Sequence, residues 1–215
     1  MEEPFISEGV SGVLHRPERP TGEALVLTHG AGSNANSPLL VRLSRGFADA
    51  GYLTLRFDLP FRRERAKGPP VPAHAARDRE GIARAIESMA RLAGGRVFAG
   101  GHSYGGRQTA MLAAERPDLP AGLLLLSYPL QPPGKPERKR TGFFPEIRTP
   151  ALFVHGTRDP FGSVEELRAA IALIPARTDL LAVEGAAHDL RRAADLMADI
   201  LTRFRAVTTG CYPEG

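Results

Sequence analysis

The stretch AGGHSYGGRQ, Ala99–Gln108, decides how the rest of the chain is read. It follows the apolar run RVFAG, leads into a segment of helical period, and sets Ser103 among four glycines. Gly101-His102-Ser103-Tyr104-Gly105 fits G-x-S-x-G at a strand-to-helix junction, where the chain turns so sharply that the positions flanking the serine by two must lack bulky side chains. The bland alternative is that these glycines only allow tight strand–helix packing. The two readings part on whether the remaining chain supplies a base, an orienting acid and amide donors, because a serine hydroxyl is a weak nucleophile by itself.

Outward from this stretch, short apolar runs alternate with longer segments of helical period. That is the pattern of a parallel sheet covered on both faces. Strands are predicted at 24–29, 52–57, 96–101, 122–127, 151–156 and 179–184, and helices at 38–50, 75–93, 104–115, 163–174 and 189–205. Leu39, Leu40, Leu43 and Phe47 line one helix face, and Gly51 stands where a helix C-terminus wants glycine. Segment 4–23 reads as one or two short antiparallel strands. The connection Tyr128–Thr149, with prolines at 129, 132, 133, 136 and 145, has no clear periodicity; loops of that length are usually functional or mobile. With 215 residues and no linker between differently patterned halves, residues 1–215 read as one α/β domain: a three-layer α/β/α sandwich on a mostly parallel, twisted sheet.

Six histidines are candidates for the base. His29 ends the first core strand and reads as a brace for the loop after it. His102 points away from its neighbour Ser103, His155 lies within a strand, and His15 and His74 fall in irregular segments. His188 follows the last apolar strand in GAAHDL, where a loop at the carboxyl edge of the sheet reaches toward the serine. Asp159, in HGTRDP, is the best acid, since a carboxylate there holds the imidazole in the useful tautomer; its other reading is a turn aspartate before Pro160. Asp189 reads as a first-turn helix residue, and Asp58 breaks the expected chain order. Ser103, Asp159 and His188 each lie just beyond a different predicted strand, 56 and 29 residues apart. In open α/β sheets such loops converge on one crevice. THGAGSN supplies candidate oxyanion donors: Gly30 and Gly32 let the backbone approach a substrate, so the amide of Ala31 pairs with that of Tyr104.

Taken in order, THGAGS, GGHSYGG, HGTRD and AAHDL resemble the α/β-hydrolase superfamily across nearly the whole chain. The compact size and HGAGSNANSP, RFDLP and YPLQPPGKP are similar to its small dienelactone-hydrolase-like group, which includes the hydrolase-like domain of a chromatin-associated complex subunit. The resemblance implies Ser103 as nucleophile, Asp159 as acid and His188 as base. Dienelactone hydrolases usually carry cysteine at the elbow, so their substrate is not implied. Only Tyr128–Thr149 stands where the family inserts a lid, so no cap domain and an exposed cleft are expected. The expected function is a serine hydrolase acting on a small-molecule carboxylic ester or thioester. The alternative is a non-catalytic hydrolase-like interaction module.

Composition narrows the partners. The net charge is +4 and the pI about 9.6, without the zinc-finger spacing, RNP-type motif or long basic helix of a nucleic-acid binder. No apolar segment is long enough to span a bilayer. The lone cysteine, Cys211, excludes an intrachain disulfide, and MEEPFISEGVSG lacks a secretory pattern, so a cytoplasmic protein without membrane or nucleic-acid partners is expected. Neither the histidines nor the cysteine have metal-ligand spacing, so no metal or cofactor is expected. Two loops, FRRERAK and KPERKR, carry eight cations against two carboxylates, which concentrates positive charge at the expected cleft. Arg62, Arg63, Arg138 and Lys139 are therefore candidate contacts for an anionic substrate group.

Overall fold

Each central strand is apolar on both faces, so the sheet must be covered twice. The computed structural model describes residues 1–191 and 196–210. It contains strands β1 (Glu2–Ser7), β2 (Val10–His15), β3 (Ala24–Thr28), β4 (Leu53–Phe57), β5 (Val97–His102), β6 (Leu123–Leu126), β7 (Ala151–Gly156) and β8 (Thr178–Val183). They form an eight-stranded sheet in the order β1-β2-β4-β3-β5-β6-β7-β8. The pairs β1–β2 and β2–β4 are antiparallel and the rest parallel. The N-terminal hairpin turns through Glu8 and Gly9, both at positive φ (48° and 79°), the backbone that matches the twist of a two-residue hairpin.

The helices are α1 (Pro38–Asp49), α2 (Pro60–Glu64), α3 (Ala75–Ala93), α4 (Tyr104–Glu115), α5 (Val164–Ile171) and α6 (Met197–Thr209). The period-2 alternation of the strands sorts them. Leu25, Leu27, Leu124, Leu126, Leu152 and Val154 pack against α1 and α6 through Leu40, Phe47 and Phe204. Their neighbours in sequence face the other way. Val26, Leu55 and Ala99 meet Ile82, Ile86 and Met89 of α3, while Leu123, Leu125 and Phe153 meet Ala110, Ala113 and Leu167 of α4 and α5. This is an α/β-hydrolase fold without a separate cap.

Several expectations are corrected. His15 belongs to β2 rather than an irregular segment, and His74 to a 3-10 turn at Pro72–His74. FRRER is largely helical: Pro60, suited to the first helical position, opens α2, and Phe61 anchors it in the core. The helix predicted at 163–174 ends at Ile171; it starts with a capping box between Ser163 and Glu166. Asp189 lies in a turn before a residue at positive φ, Leu190 (48°), and pairs with Arg191 instead of opening a helix. Part of the predicted 189–205 helix, residues 192–195, lies outside the described residues, as does Cys211. The connection 128–149 has one 3-10 turn, Phe144–Glu146, and is held by the buried side chains of Tyr128, Leu130, Phe144 and Ile147.

Candidate active site

Ser103 sits between β5 and α4 in a backbone conformation that side chains rarely adopt, φ 52° and ψ −113°. The tightness of the turn explains its glycines. A Cβ on Gly101 would lie 2.5 Å from the Thr28 carbonyl oxygen, and one on Gly105 would lie 2.5 Å from the His29 carbonyl oxygen. Ser103 is held in this non-glycine strain by its neighbours, its N–H donating to the Leu126 carbonyl (2.8 Å).

The loops after β7 and β8 bring their candidates to it. His188 Nε2 is 2.8 Å from Ser103 Oγ, and His188 Nδ1 is 2.8 Å from Asp159 Oδ2. The Asp159 side chain is fully shielded from solvent, whereas that of His188 keeps 22 % of its exposure. The Asp159 Oδ1 accepts the Phe161 N–H (2.9 Å), so both carboxyl oxygens have donors. Burial alone would raise the Asp159 carboxyl. The hydrogen bond and charge of His188, with the Phe161 amide, outweigh it and lower the net value. A carboxylate held ionised on one side of the ring favours the Nδ1–H tautomer, which leaves Nε2 free to accept the serine proton.

Two amides are candidates to receive an oxyanion. That of Tyr104 lies in the first turn of α4, where no intrahelical carbonyl reaches it. The other, of Ala31, belongs to a peptide whose orientation is set from behind. The Gly30 carbonyl accepts from His29 Nδ1 (2.8 Å) and from the Ser33 N–H (3.1 Å). A trans peptide points its N–H the opposite way. His29 Nε2 accepts the Leu59 N–H (3.2 Å), so this buried ring braces two loops. Burial drives it toward the neutral form. At Gly30 a Cβ would crowd His102 Nδ1 at 3.0 Å and Ser103 Cβ at 3.4 Å. At Gly32 a Cβ would meet nothing within 4 Å.

Ser103, Tyr104 and Ala31 open onto a cleft of about 1300 Å³, walled by Pro69–Ala76 on one side and the 129–143 connection on the other. Arg138 and Lys139 line it; Arg62 and Arg63 do not. Arg62 is buried, its guanidinium donating to the carbonyls of Ala31 (2.6 Å), Ser33 (2.8 Å), Gly68 (3.1 Å) and Arg65 (3.2 Å). Arg63 donates to the Gly9 carbonyl. Both are corrected from substrate contacts to loop anchors. The loops they tie leave carbonyls unpaired, and a guanidinium fork satisfies several at once. Lys139 pairs with Glu166.

Sequence reasoning passed over three further residues. His102 Nε2 donates to the His188 carbonyl (2.7 Å), and the two rings lie 5.0 Å apart. Burial pulls His102 down to about 4, which keeps it neutral. Phe161 packs edge-on against the His188 ring, with ring centroids 4.4 Å apart. Asp78, buried at 1 % exposure, accepts the Tyr104 hydroxyl (2.7 Å) and the Phe61 N–H (3.0 Å). Only the adjacency of His102 to Ser103 could have signalled any of these. Among the described residues, no group of three or more His, Cys, Asp or Glu side chains is arranged to hold a metal ion, and no helix is long and apolar enough to cross a membrane.

A family model for the alpha/beta hydrolase domain matches residues 21–203. The chain belongs to that family. Among solved structures, this hydrolase chain is similar to TT1662 from Thermus thermophilus, with 24% identity, 95% of this chain and 97% of that one covered, and a TM-score of 0.74. Est1E from Butyrivibrio proteoclasticus, with ferulic acid bound, matches at 17% identity over 97% and 100% of the two chains, TM-score 0.77. A dienelactone hydrolase from Anabaena variabilis matches at 20% identity over 94% and 98%, TM-score 0.74. At these identities the likeness extends to the fold.

Proposed function

We propose that this family member is a serine hydrolase that cleaves a carboxylic ester or thioester through an acyl-enzyme. The observation that carries the reading is the unbroken series Ser103 Oγ, His188, Asp159, with 2.8 Å at each step. In this mechanism Ser103 Oγ attacks the carbonyl carbon while His188 Nε2 takes its proton. Asp159 stabilises the imidazolium, and the Ala31 and Tyr104 amides receive the oxyanion. Collapse expels the alkoxide or thiolate, which leaves with the proton from His188. Water, deprotonated by the same ring, then attacks the acyl-serine and releases the acid. The open cleft beside Ser103 and the absence of a cap favour small acyl substrates over long chains that need an enclosing tunnel.

A fluorophosphonate probe and 4-nitrophenyl butyrate test the proposal. The native protein is expected to label once and to turn over the ester; Ser103→Ala is expected to do neither while unfolding at the native temperature. A native protein that fails to label, or a Ser103→Ala variant that still labels and turns over, refutes the assignment. A non-catalytic interaction module built on the same fold would leave the serine unlabelled.

A further inference from the structure

The cleft carries a charge arrangement that the hydrolytic series does not use. Arg107 lies one turn into the elbow helix, its N–H donating to the Ser103 carbonyl (2.9 Å), and it lines the same cleft as Ser103. Its Nε is buried without a hydrogen-bond partner. Next to it Gln108 is fully buried; its Oε1 accepts from Arg79 (3.1 Å), but its Nε2 has no acceptor. Both residues line the cleft, as does Arg140 from the opposite wall. The Tyr128 hydroxyl joins the two walls: it donates to the Arg140 carbonyl (2.5 Å), accepts from the Arg107 guanidinium and lies in the field of both arginines.

Among the described residues, no carboxylate lies within ion-pair distance of Arg107, Arg140, Arg138 or Lys135, and none lines the cleft. Burial pulls the Arg140 guanidinium below its ordinary value, and the neighbouring Arg107 charge pulls it further. Buried polar groups ordinarily find partners, and two adjoining cations ordinarily find a counter-charge. A planar guanidinium fork beside a free amide donor matches a carboxylate.

We propose that Arg107 and Arg140, with the Gln108 side-chain amide, form a carboxylate subsite beside Ser103. The substrates are then esters or thioesters carrying a carboxylate a few bonds from the scissile carbonyl. This subsite rests on the serine-hydrolase reading above. It also moves the source of anion preference from Arg62 and Arg63, which face backbone carbonyls, to an arginine on the elbow helix itself.

The carboxylate could sit on either arm of the ester, so two substrate pairs are compared by kcat/KM. Monomethyl succinate against methyl succinamate places the charge on the acyl side, and O-butyrylglycolate against O-butyrylglycolamide places it on the leaving group. The native enzyme is expected to prefer the charged member of one pair by about 10-fold or more at low salt, with the preference shrinking several-fold at high ionic strength. Arg107→Gln and Arg140→Gln are each expected to bring that ratio toward one, and Arg107→Lys to retain part of it, as a point charge without the fork would. A second readout is independent of turnover. Calorimetric titration of Ser103→Ala protein should show monomethyl succinate or O-butyrylglycolate binding about 10-fold more tightly than its amide, a difference lost in Ser103→Ala/Arg107→Gln. Equal kcat/KM within both pairs, with 4-nitrophenyl butyrate still hydrolysed, overturns the subsite and leaves the hydrolase reading standing. Failure of every ester and of the fluorophosphonate probe overturns that reading instead. Equal binding of acid and amide in the titration overturns the subsite in either case.

Discussion

Replacing Arg62 by methionine separates a loop anchor from a substrate contact. Methionine keeps an unbranched apolar stem but is shorter and lacks the donors to four carbonyls, of which those of Ala31 and Ser33 belong to the loop that presents the candidate oxyanion amide. Hydrogen bonds to a charged group contribute about 1.5–3 kcal/mol each. The four do not add, because they share one guanidinium and the freed carbonyls of a surface loop regain water, so a net loss of about 3 kcal/mol is expected. At a urea dependence of about 3 kcal/mol per molar for a chain of this size, the unfolding midpoint should fall by about 1 M. With the Ala31 peptide less firmly held, kcat for 4-nitrophenyl butyrate should fall by about 10- to 100-fold, short of the full loss of an oxyanion donor. Arg62→Lys should recover little of either, since one ammonium does not span four carbonyls. The assays are urea unfolding followed by circular dichroism and ester turnover on the same preparations. The reasoning is refuted if Arg62→Met keeps native stability and neutral-ester turnover while losing only its preference for carboxylate-bearing esters.

Further outcomes follow from the same contacts. His188→Ala should match the loss in Ser103→Ala, because the two act as a unit, whereas Asp159→Asn should keep more activity yet still fall on the order of 10⁴-fold in kcat. Burial holds both His15 and His102 at about 4 against an ordinary 6.5. Below 6.5 the unfolded chain therefore takes protons that the folded protein refuses. Stability should decline as pH drops from 6.5 toward 4, by about 1.4 kcal/mol per pH unit for each ring. Urea midpoints across that range should show a shallower decline in His102→Gln; an unchanged slope would contradict the role given to burial. Gly101→Ala sets a methyl 2.5 Å from the Thr28 carbonyl oxygen, a backbone neighbour unable to yield, and should cost about 2–4 kcal/mol of stability along with turnover. Dialysis against EDTA should leave ester hydrolysis unchanged; loss restored by a divalent ion would show a metal requirement.

How far the chain could be read in advance depended on the range of the interaction concerned. The strands were legible to within a residue or so, because parallel strands buried on both faces are short continuous apolar runs, and Leu123–Leu126 could hardly be anything else. Helix α4 was legible from the glycine-flanked serine before it, and α3 from its apolar period. Helix α2 was not: its five residues are too few to show a period, and its arginines read as a solvated loop. At the site, the sequence marked three loops at the carboxyl ends of strands and their order. That Ser103 and His188, 85 residues apart, meet at 2.8 Å depends on β5 and β8 being spaced by β6 and β7 in one twisted sheet. The arginines show the same division. The charge runs at 62–67 and 135–140 were visible in the sequence, but which cations face a cleft and which face carbonyls was not. Arg62 turned inward because folding left four carbonyls around it without partners. Arg107 looked like one more polar residue on a helix until the fold enclosed it beside Arg140 and Tyr128. Local backbone preference and apolar period are written along the chain. The partner of a long polar side chain is not, because it depends on which distant polar groups the packed elements leave unsatisfied.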